Sequence, residues 1–104
     1  MILVISPSAF NKIDEIIKKF NSDKIIITTY GVSYALSNNI NIDKILDLGI
    51  KVMAYSHKPY QVSNLSITES EAILVARDLK ATLIASDTKI KEEAEKLGIS
   101  VILI

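Results

Sequence analysis

Two carboxylates and a group of hydroxyls are the side chains of this 104-residue chain whose types and positions could support chemistry. Asp87 directly follows a buried-strand pattern, and Glu71 opens an apolar helical pattern sixteen positions earlier. Oxygen ligands of this kind are the ones that hard divalent cations prefer, so these two acids are the candidate metal-binding residues. The candidate hydroxyls beside them are Ser6, Ser8, Ser86 and Thr88.

Both acids also have an ordinary structural use. An aspartate at position 87 is well placed to cap the helix that follows it. Thr68 and Glu71 have the spacing of a capping box, in which each side chain satisfies the other residue's free backbone group. Ser8 has the corresponding position before the first helical pattern. The two acids therefore support either a binding site or helix starts, and the two roles are compatible.

Composition limits the sites that can form. Twelve basic residues balance twelve acidic ones, so the chain lacks the broad positive field of proteins that hold nucleic acid chiefly through phosphates. The absence of cysteine excludes disulfides and thiolate metal sites. The first apolar run is too short for a signal peptide, and none approaches the roughly 20 residues of a membrane helix. We therefore expect a cytoplasmic protein with no membrane contact.

Alternating strand and helix patterns must position these side chains. Short β-branched apolar runs without alternation predict buried strands at 2–5, 25–29, 83–85 and 101–104, with a weaker strand at 51–55. Apolar residues at helical spacing predict helices at 9–20, 32–36, 42–46, 72–79 and 90–97. This alternation predicts a single α/β domain over residues 1–104, with a five-stranded parallel sheet and helices on both faces.

The predicted sheet also predicts where a ligand would bind. In an open parallel sheet the crevice lies at the carboxyl ends of the strands, where the strand order reverses. With the first strand at the centre, the segments at this edge are 6–8, 31–35 and 86–88. We expect a polar cleft that is rich in hydroxyls and poor in carboxylates.

The last forty residues resemble the C-terminal half of a PIN domain, in particular the short forms with a Glu-x-Glu-Ala-Ile helix and a strand that ends in an aspartate. The residues that carry the resemblance run from Thr68 to Ala94 and continue through 97–102. Over the first sixty residues the similarity is one of position only. The resemblance implies a three-layer PIN-like fold whose sheet has the strand order 3-2-1-4-5.

PIN domains are, as a family, metal-dependent ribonucleases in which about four carboxylates bind Mg²⁺ or Mn²⁺ and activate water for attack on a phosphodiester. The resemblance matches Glu71 to the third of these acids and Asp87 to the fourth. The first acid falls on Ser6 or on Pro7, depending on the alignment, and the second falls on Ala35. Two of the four expected carboxylates are therefore missing.

The missing acids lead to hypotheses of different classes. The first is a degenerate PIN-like domain of impaired activity, a module that binds RNA or protein and needs no metal. The second is an active Mg²⁺- or Mn²⁺-dependent endoribonuclease, like the toxins of toxin–antitoxin pairs, with Glu71 and Asp87 as catalytic residues. A third treats the resemblance as coincidence and the chain as a doubly wound domain that binds a small ligand.

Partners are predicted from two further patterns. Basic and aromatic residues in one segment could stack a base and contact a phosphate, or could simply form a solvated loop: Lys51, Tyr55, His57, Lys58 and Tyr60. The mean hydropathy is +0.32, and five consecutive apolar residues occupy 72–76 of the fourth helix. This apolar excess predicts a homodimer or a protein partner.

Overall fold

Five parallel strands in the order β3-β2-β1-β4-β5 form the centre of the protein. The computed structural model describes residues 1–104. The strands are β1 (Ile2–Ile5), β2 (Lys24–Thr28), β3 (Lys51–Met53), β4 (Thr82–Ala85) and β5 (Val101–Leu103). The helices are α1 (Ile13–Lys19), α2 (Thr29–Ser37), α3 (Ile42–Asp47), α4 (Ile67–Leu79) and α5 (Thr88–Lys96), and a 3₁₀ segment at Pro7–Lys12 precedes α1. The predicted α/β class and strand order 3-2-1-4-5 are confirmed.

The central strand β1 is covered on both faces, which explains its apolar residues without alternation. Val4 pairs with Ile26 of β2 and Leu83 of β4 in register, and all three face the core beneath α4 and α5. Leu3 and Ile5 face the opposite core, which the 3₁₀ segment and helices α1 to α3 cover. Both cores are apolar and buried, so β1 and its neighbours form a rigid base for the carboxyl edge of the sheet.

Helix α4 uses its whole apolar run inside this chain. All five residues at 72–76 are at most 3% exposed, because α4 packs on the sheet with one side and against α2 and the 3₁₀ segment near its start. The apolar excess that suggested an interface on α4 is thus buried within one copy. The prediction of a homodimer is left without this support. None of the helices combines the length and apolar composition that crossing a membrane requires.

The first helix differs from its prediction. We expected one helix over 9–20 with Ser8 as its N-cap, but Ser6 is the cap, and its Oγ accepts the backbone N–H of Ser8 at 3.2 Å. A proline at the first position suits such a start, and the chain then makes six residues of 3₁₀ helix before α1. The hydroxyl of Ser8 is thereby free for a contact elsewhere.

The fourth helix begins earlier than predicted. Its N-cap is Ser66, whose Oγ accepts the N–H of Glu69 at 3.3 Å, whereas the sequence pattern placed the cap at Thr68. The capping pattern is therefore shifted by two residues, and Glu69 takes the third helical position in place of Glu71. Smaller differences are the earlier start of α2, which Thr28 caps, and the end of β3 at Met53 in place of residue 55.

Burial in the α4 core predicts a large loss of stability on truncation. Leu74 is fully buried, so Leu74→Ala is expected to lower the free energy of unfolding by about 3 kcal/mol, through lost transfer free energy and the cavity left behind. Leu36 on α2 is 63% exposed, and Leu36→Ala is the matched control, with an expected loss below about 1 kcal/mol. Urea unfolding monitored by circular dichroism measures both, and equal losses would contradict this packing.

Candidate functional site

A chain of hydrogen bonds joins the ends of β1 and β4 to the start of α4. The N–H of Ser86 donates to the Oγ of Ser8 at 3.1 Å, the Oγ atoms of Ser8 and Ser6 are 2.8 Å apart, and Ser6 donates to Oε1 of Glu69. Since Ser6 has one proton and gives it to Glu69, Ser8 must be the donor to Ser6. All these bonds therefore run in one direction, from a backbone amide to a carboxylate.

Glu69 is the carboxylate that lies in this cleft. Its pKa is raised above its ordinary value, mainly because burial disfavours the charged form. The hydroxyl of Ser6 and the N–H of Ser8 oppose that change by donating to the charged form, and the negative charge of Asp87 adds to it. Glu69 and Asp87 are therefore close enough to repel each other across the cleft.

Asp87 has the capping role that its position predicted. Its Oδ1 accepts the N–H of Lys89 at 2.8 Å and that of Ile90 at 3.4 Å, and its side chain is exposed at the start of α5. The neighbouring Oγ of Ser86 is buried without a hydrogen-bond partner. Thr88, also predicted to line the cleft, opens α5 and takes no part in the hydroxyl chain. Two of the four predicted hydroxyls, those of Ser6 and Ser8, thus contact each other, and Ser86 joins them through its backbone N–H.

Glu71 lies on the same helix, but it binds the start of α2 and the segment after β3 and not the end of β1. It is 2% exposed, and its Oε1 accepts the N–H of Tyr30 at 2.8 Å. Its Oε2 accepts the hydroxyl of Thr29 at 2.8 Å and, at 3.4 Å, the N–H of Tyr55. Both oxygens are therefore occupied by donors from the start of α2 and from the segment that follows β3. The metal-binding role predicted for Glu71 stays a prediction, and the structure adds this positioning role.

Glu69 was missed by sequence reasoning. The capping box was assigned to Thr68 and Glu71, which left Glu69 without a role. The available signal was the pair Ser66 and Glu69, which has the same spacing and begins where the helix begins. In a complete capping box Glu69 would turn back to the cap residue, but here its carboxylate contacts Ser6.

The positions that resemble the first two PIN acids lie within the fold. Ser6 and Ala35 are fully buried, and Pro7 is buried beside Ser6. Ala35 belongs to the apolar core beneath α2. No group of three or more histidine, cysteine, aspartate or glutamate side chains is arranged to hold a metal ion. The donor set of the cleft, two carboxylates among hydroxyls, therefore does not fit a two-metal nuclease centre.

The structure adds Arg77, which the sequence did not suggest, to the basic and aromatic residues predicted at 51–60. The guanidinium of Arg77 donates to the hydroxyls of Tyr60 and Tyr55, both at 3.0 Å, and the hydrogen bond to Tyr60 is the main cause of the raised pKa of Arg77. The ring of Tyr55 packs edge-on against that of His57, with centroids 5.7 Å apart. These contacts fix the segment after β3 to the last turns of α4, which accounts for the two tyrosines without a ligand.

The buried carboxylate of Glu71 predicts a specific loss of stability. Glu71→Gln is expected to lower the free energy of unfolding by about 2 kcal/mol, because the amide nitrogen cannot accept from the donors that face it. Glu92 lies exposed on α5, and Glu92→Gln is the control, with an expected change within about 0.5 kcal/mol. Urea unfolding checks both variants, and an unchanged Glu71→Gln protein would show that the three contacts contribute little.

The raised pKa of Glu69 predicts a dependence of stability on pH. A carboxyl whose pKa is higher in the folded state contributes stability below its unfolded pKa, and that stability is lost as the pH rises through the folded pKa. Glu69→Gln removes this loss while keeping an acceptor for Ser6. Its free energy of unfolding relative to wild type should therefore rise as the pH increases above the ordinary pKa of a glutamate, about 4.3. The Glu92→Gln protein should follow wild type, and a parallel profile for Glu69→Gln would contradict the assignment.

Comparison with solved structures places this geometry in a known group. A PilT N-terminus domain protein, SSO1118, from the hyperthermophilic archaeon Sulfolobus solfataricus P2 is 50% identical, with a TM-score of 0.93 over 99% of this chain and 87% of that one. A domain of a functionally unknown protein from Methanocaldococcus jannaschii DSM 2661 has a TM-score of 0.68 at 17% identity, over 99% of this chain and 90% of that one. The second similarity concerns the fold alone.

No family model matches the chain, and no curated protein matches it. The assignment rests on the first solved structure, whose identity of 50% extends over nearly the whole chain. It agrees with the strand order and with the placement of α4 beside the carboxyl edge of the sheet. This chain belongs to the PilT N-terminus (PIN) domain family.

Proposed function

We propose that this chain is a PIN-family domain that does not cleave RNA and that works as a binding and assembly module. The observation that carries the proposal is the contact of Ser6 with Glu69. Ser6 directly follows β1, at one of the two positions where the family resemblance places the first acid, and its neutral hydroxyl donates a hydrogen bond to Glu69. A hydroxyl in this role brings no negative charge to hold a divalent cation.

The remaining charges of the cleft also support the proposal. Burial, with a smaller contribution from repulsion by Asp87, raises the pKa of Glu69 and so favours binding of a proton there. That proton neutralises Glu69 alone, leaves one negative charge on the pair, and competes with a cation for the same oxygens. Ala35 cannot supply the missing second acid, and it is enclosed by apolar side chains in which a carboxylate would be strongly disfavoured.

Protein is the class of ligand that the surface favours over RNA. The chain has no net charge, and its cleft exposes acids that repel phosphates. The cationic side chain nearest the two tyrosines, Arg77, is already bonded to their hydroxyls and to Asp78. Several large apolar side chains are exposed outside the cleft, among them Leu36, Leu48, Val52 and Met53. These residues suit contact with another protein.

The alternative function is a metal-dependent endoribonuclease of the toxin type. One observation favours it, which is that Glu69 and Asp87 share the cleft. Mg²⁺ is commonly held by one or two protein carboxylates, with water and substrate phosphates as the other ligands. The experiment that separates the two functions must therefore measure cleavage and metal binding independently.

The proposal predicts that purified wild-type protein leaves a fluorescent single-stranded RNA intact in Mg²⁺ or Mn²⁺, and that Mn²⁺ does not raise its melting temperature. Cleavage that requires the metal and is lost in Asp87→Asn would establish the alternative. Asparagine caps a helix about as well as aspartate, so this variant removes charge and keeps the start of α5. Filter binding of the same RNA over a series of salt concentrations tests RNA as a ligand.

A gain of metal binding is the complementary test. Ser6→Asp adds a carboxylate beside Glu69, and we expect Mn²⁺ to raise the melting temperature of this variant, since the ion offsets the repulsion of the acids. Ser6→Asn, of nearly equal volume and no charge, is the control and should not respond. Both variants disturb a fully buried position, so their comparison isolates the charge. A wild-type protein that responds to Mn²⁺ as strongly as Ser6→Asp would overturn the proposal.

A further inference from the structure

Residues 56–61 form a loop between β3 and α4 whose backbone makes no hydrogen bond within the protein. Pro59 is half-buried, and the other residues of the loop are exposed. A segment with few buried contacts and an unbonded backbone opens locally at a low cost in free energy. The position of this loop therefore depends on the contacts of its ends and of its side chains.

Both ends of the loop are held by adjacent residues of α4. Before the loop, the N–H of Tyr55 donates to Oε2 of Glu71 at 3.4 Å. After the loop, the N–H of Val62 donates to the Oγ of Ser70 at 2.8 Å, and the side chain of Val62 is buried. Compact loops whose ends lie this close together are Ω-loops. The two ends can stay in place while the residues between them move.

One side chain holds the middle of the loop. The guanidinium of Arg77 donates to the hydroxyls of Tyr60 and Tyr55, both at 3.0 Å. Arg77 lies six residues after Glu71, which is about 9 Å along the helix axis, so these bonds hold the loop along the later turns of α4. Tyr60 is 51% exposed, so its hydrogen bond contributes more than burial to keeping it in place.

The start of the loop forms one wall of a mostly apolar pocket of about 150 Å³. Tyr55 and Ser56 line this pocket together with the end of β3 and with Val75, Asp78 and Leu79 of α4. Val75 is only 3% exposed while the loop lies against the helix. Movement of the loop away from α4 would widen the pocket and expose Val75.

We propose that residues 56–61 are a lid that opens away from α4 and exposes this pocket, and that Arg77 is the residue that holds the lid closed. In the open state the lid remains attached at Tyr55 and Val62, and water replaces the hydrogen bonds of Arg77. Net contributions of such exposed bonds are small, since water offers equivalent partners. The lid can therefore open without unfolding of the sheet.

The first test measures exposure of the pocket with a single thiol. The chain has no native cysteine, so Val75→Cys is the one group that reacts with a thiol reagent. Adding Tyr60→Phe or Arg77→Met should raise the labelling rate about fivefold or more, because each removes a hydrogen bond that holds the lid. Tyr30→Phe removes a phenol hydroxyl from α2 and is the control, which should leave the rate unchanged.

A second thiol separates opening of the lid from unfolding of the whole chain. Val4 is fully buried in the core beneath α4 and α5, so Val4→Cys reacts only when that core opens. Its labelling rate should stay unchanged when Tyr60→Phe or Arg77→Met is added. Circular dichroism shows whether each variant is folded.

The third test is limited proteolysis of the loop itself. Chymotrypsin cleaves after tyrosine and phenylalanine, so the bond after residue 60 is a substrate in wild type and in Tyr60→Phe. Cleavage of a transiently open segment follows the population of the open state. We expect faster cleavage at this bond in both Tyr60→Phe and Arg77→Met, with the fragments identified by mass spectrometry.

Three outcomes would overturn the lid. The first is a Val75→Cys labelling rate that neither Tyr60→Phe nor Arg77→Met raises. The second is an equal rise for Val75→Cys and Val4→Cys, which would show a loss of stability of the whole chain. The third is unchanged cleavage after residue 60. None of these variants alters a residue of the cleft, so this inference and the proposed function can fail separately.

Discussion

The arrangement of the carboxyl edge depends on one buried carboxylate. Taking a charged carboxylate out of water is strongly unfavourable unless hydrogen-bond donors replace the lost hydration. Glu71 meets that requirement with three donors, which come from Thr29, Tyr30 and Tyr55. Thr29 and Tyr30 begin α2, and Tyr55 lies in the segment after β3. The hydrogen bonds that replace the hydration of Glu71 therefore also join both segments to α4. Because Glu69 lies two residues earlier on α4, the same contacts determine where it meets β1.

Much of the fold is predictable because its signals are local. The strands are apolar without alternation, since both of their faces are covered, and Asn41 and Asp87 cap helices as their types suggest. The first residue of a helix is harder to predict where two nearby residues can each act as its N-cap. Ser66 and Thr68 can each cap a helix, and packing of Ile67 to Leu79 on the sheet decides between them. The strand order came from the family resemblance and not from any residue pattern.

The cleft was only partly predictable for a geometric reason. Ser6, Ser8 and Ser86 follow strand ends, and the carboxyl ends of adjacent parallel strands must come together. Glu69 and Glu71 are two residues apart on one helix and therefore point about 200° apart around its axis. Which of them faces β1 depends on the rotation of α4, and that rotation is a product of tertiary packing. The contact of Arg77 with Tyr55, across 22 positions of sequence, could not be predicted from the sequence for the same reason.

The contact of Glu71 with α2 also has an electrostatic consequence. The first turn of a helix carries unpaired N–H groups and a partial positive charge, which makes it a place where proteins commonly bind the phosphate of a nucleotide or nucleic acid. In this chain the N–H of Tyr30 donates to Glu71, and that of Gly31 donates to the Oγ1 of Thr28. The protein thus supplies its own internal anion at this helix end. At the start of α2 the first-turn N–H groups of Tyr30 and Gly31 are thus already bonded to side chains of the protein itself.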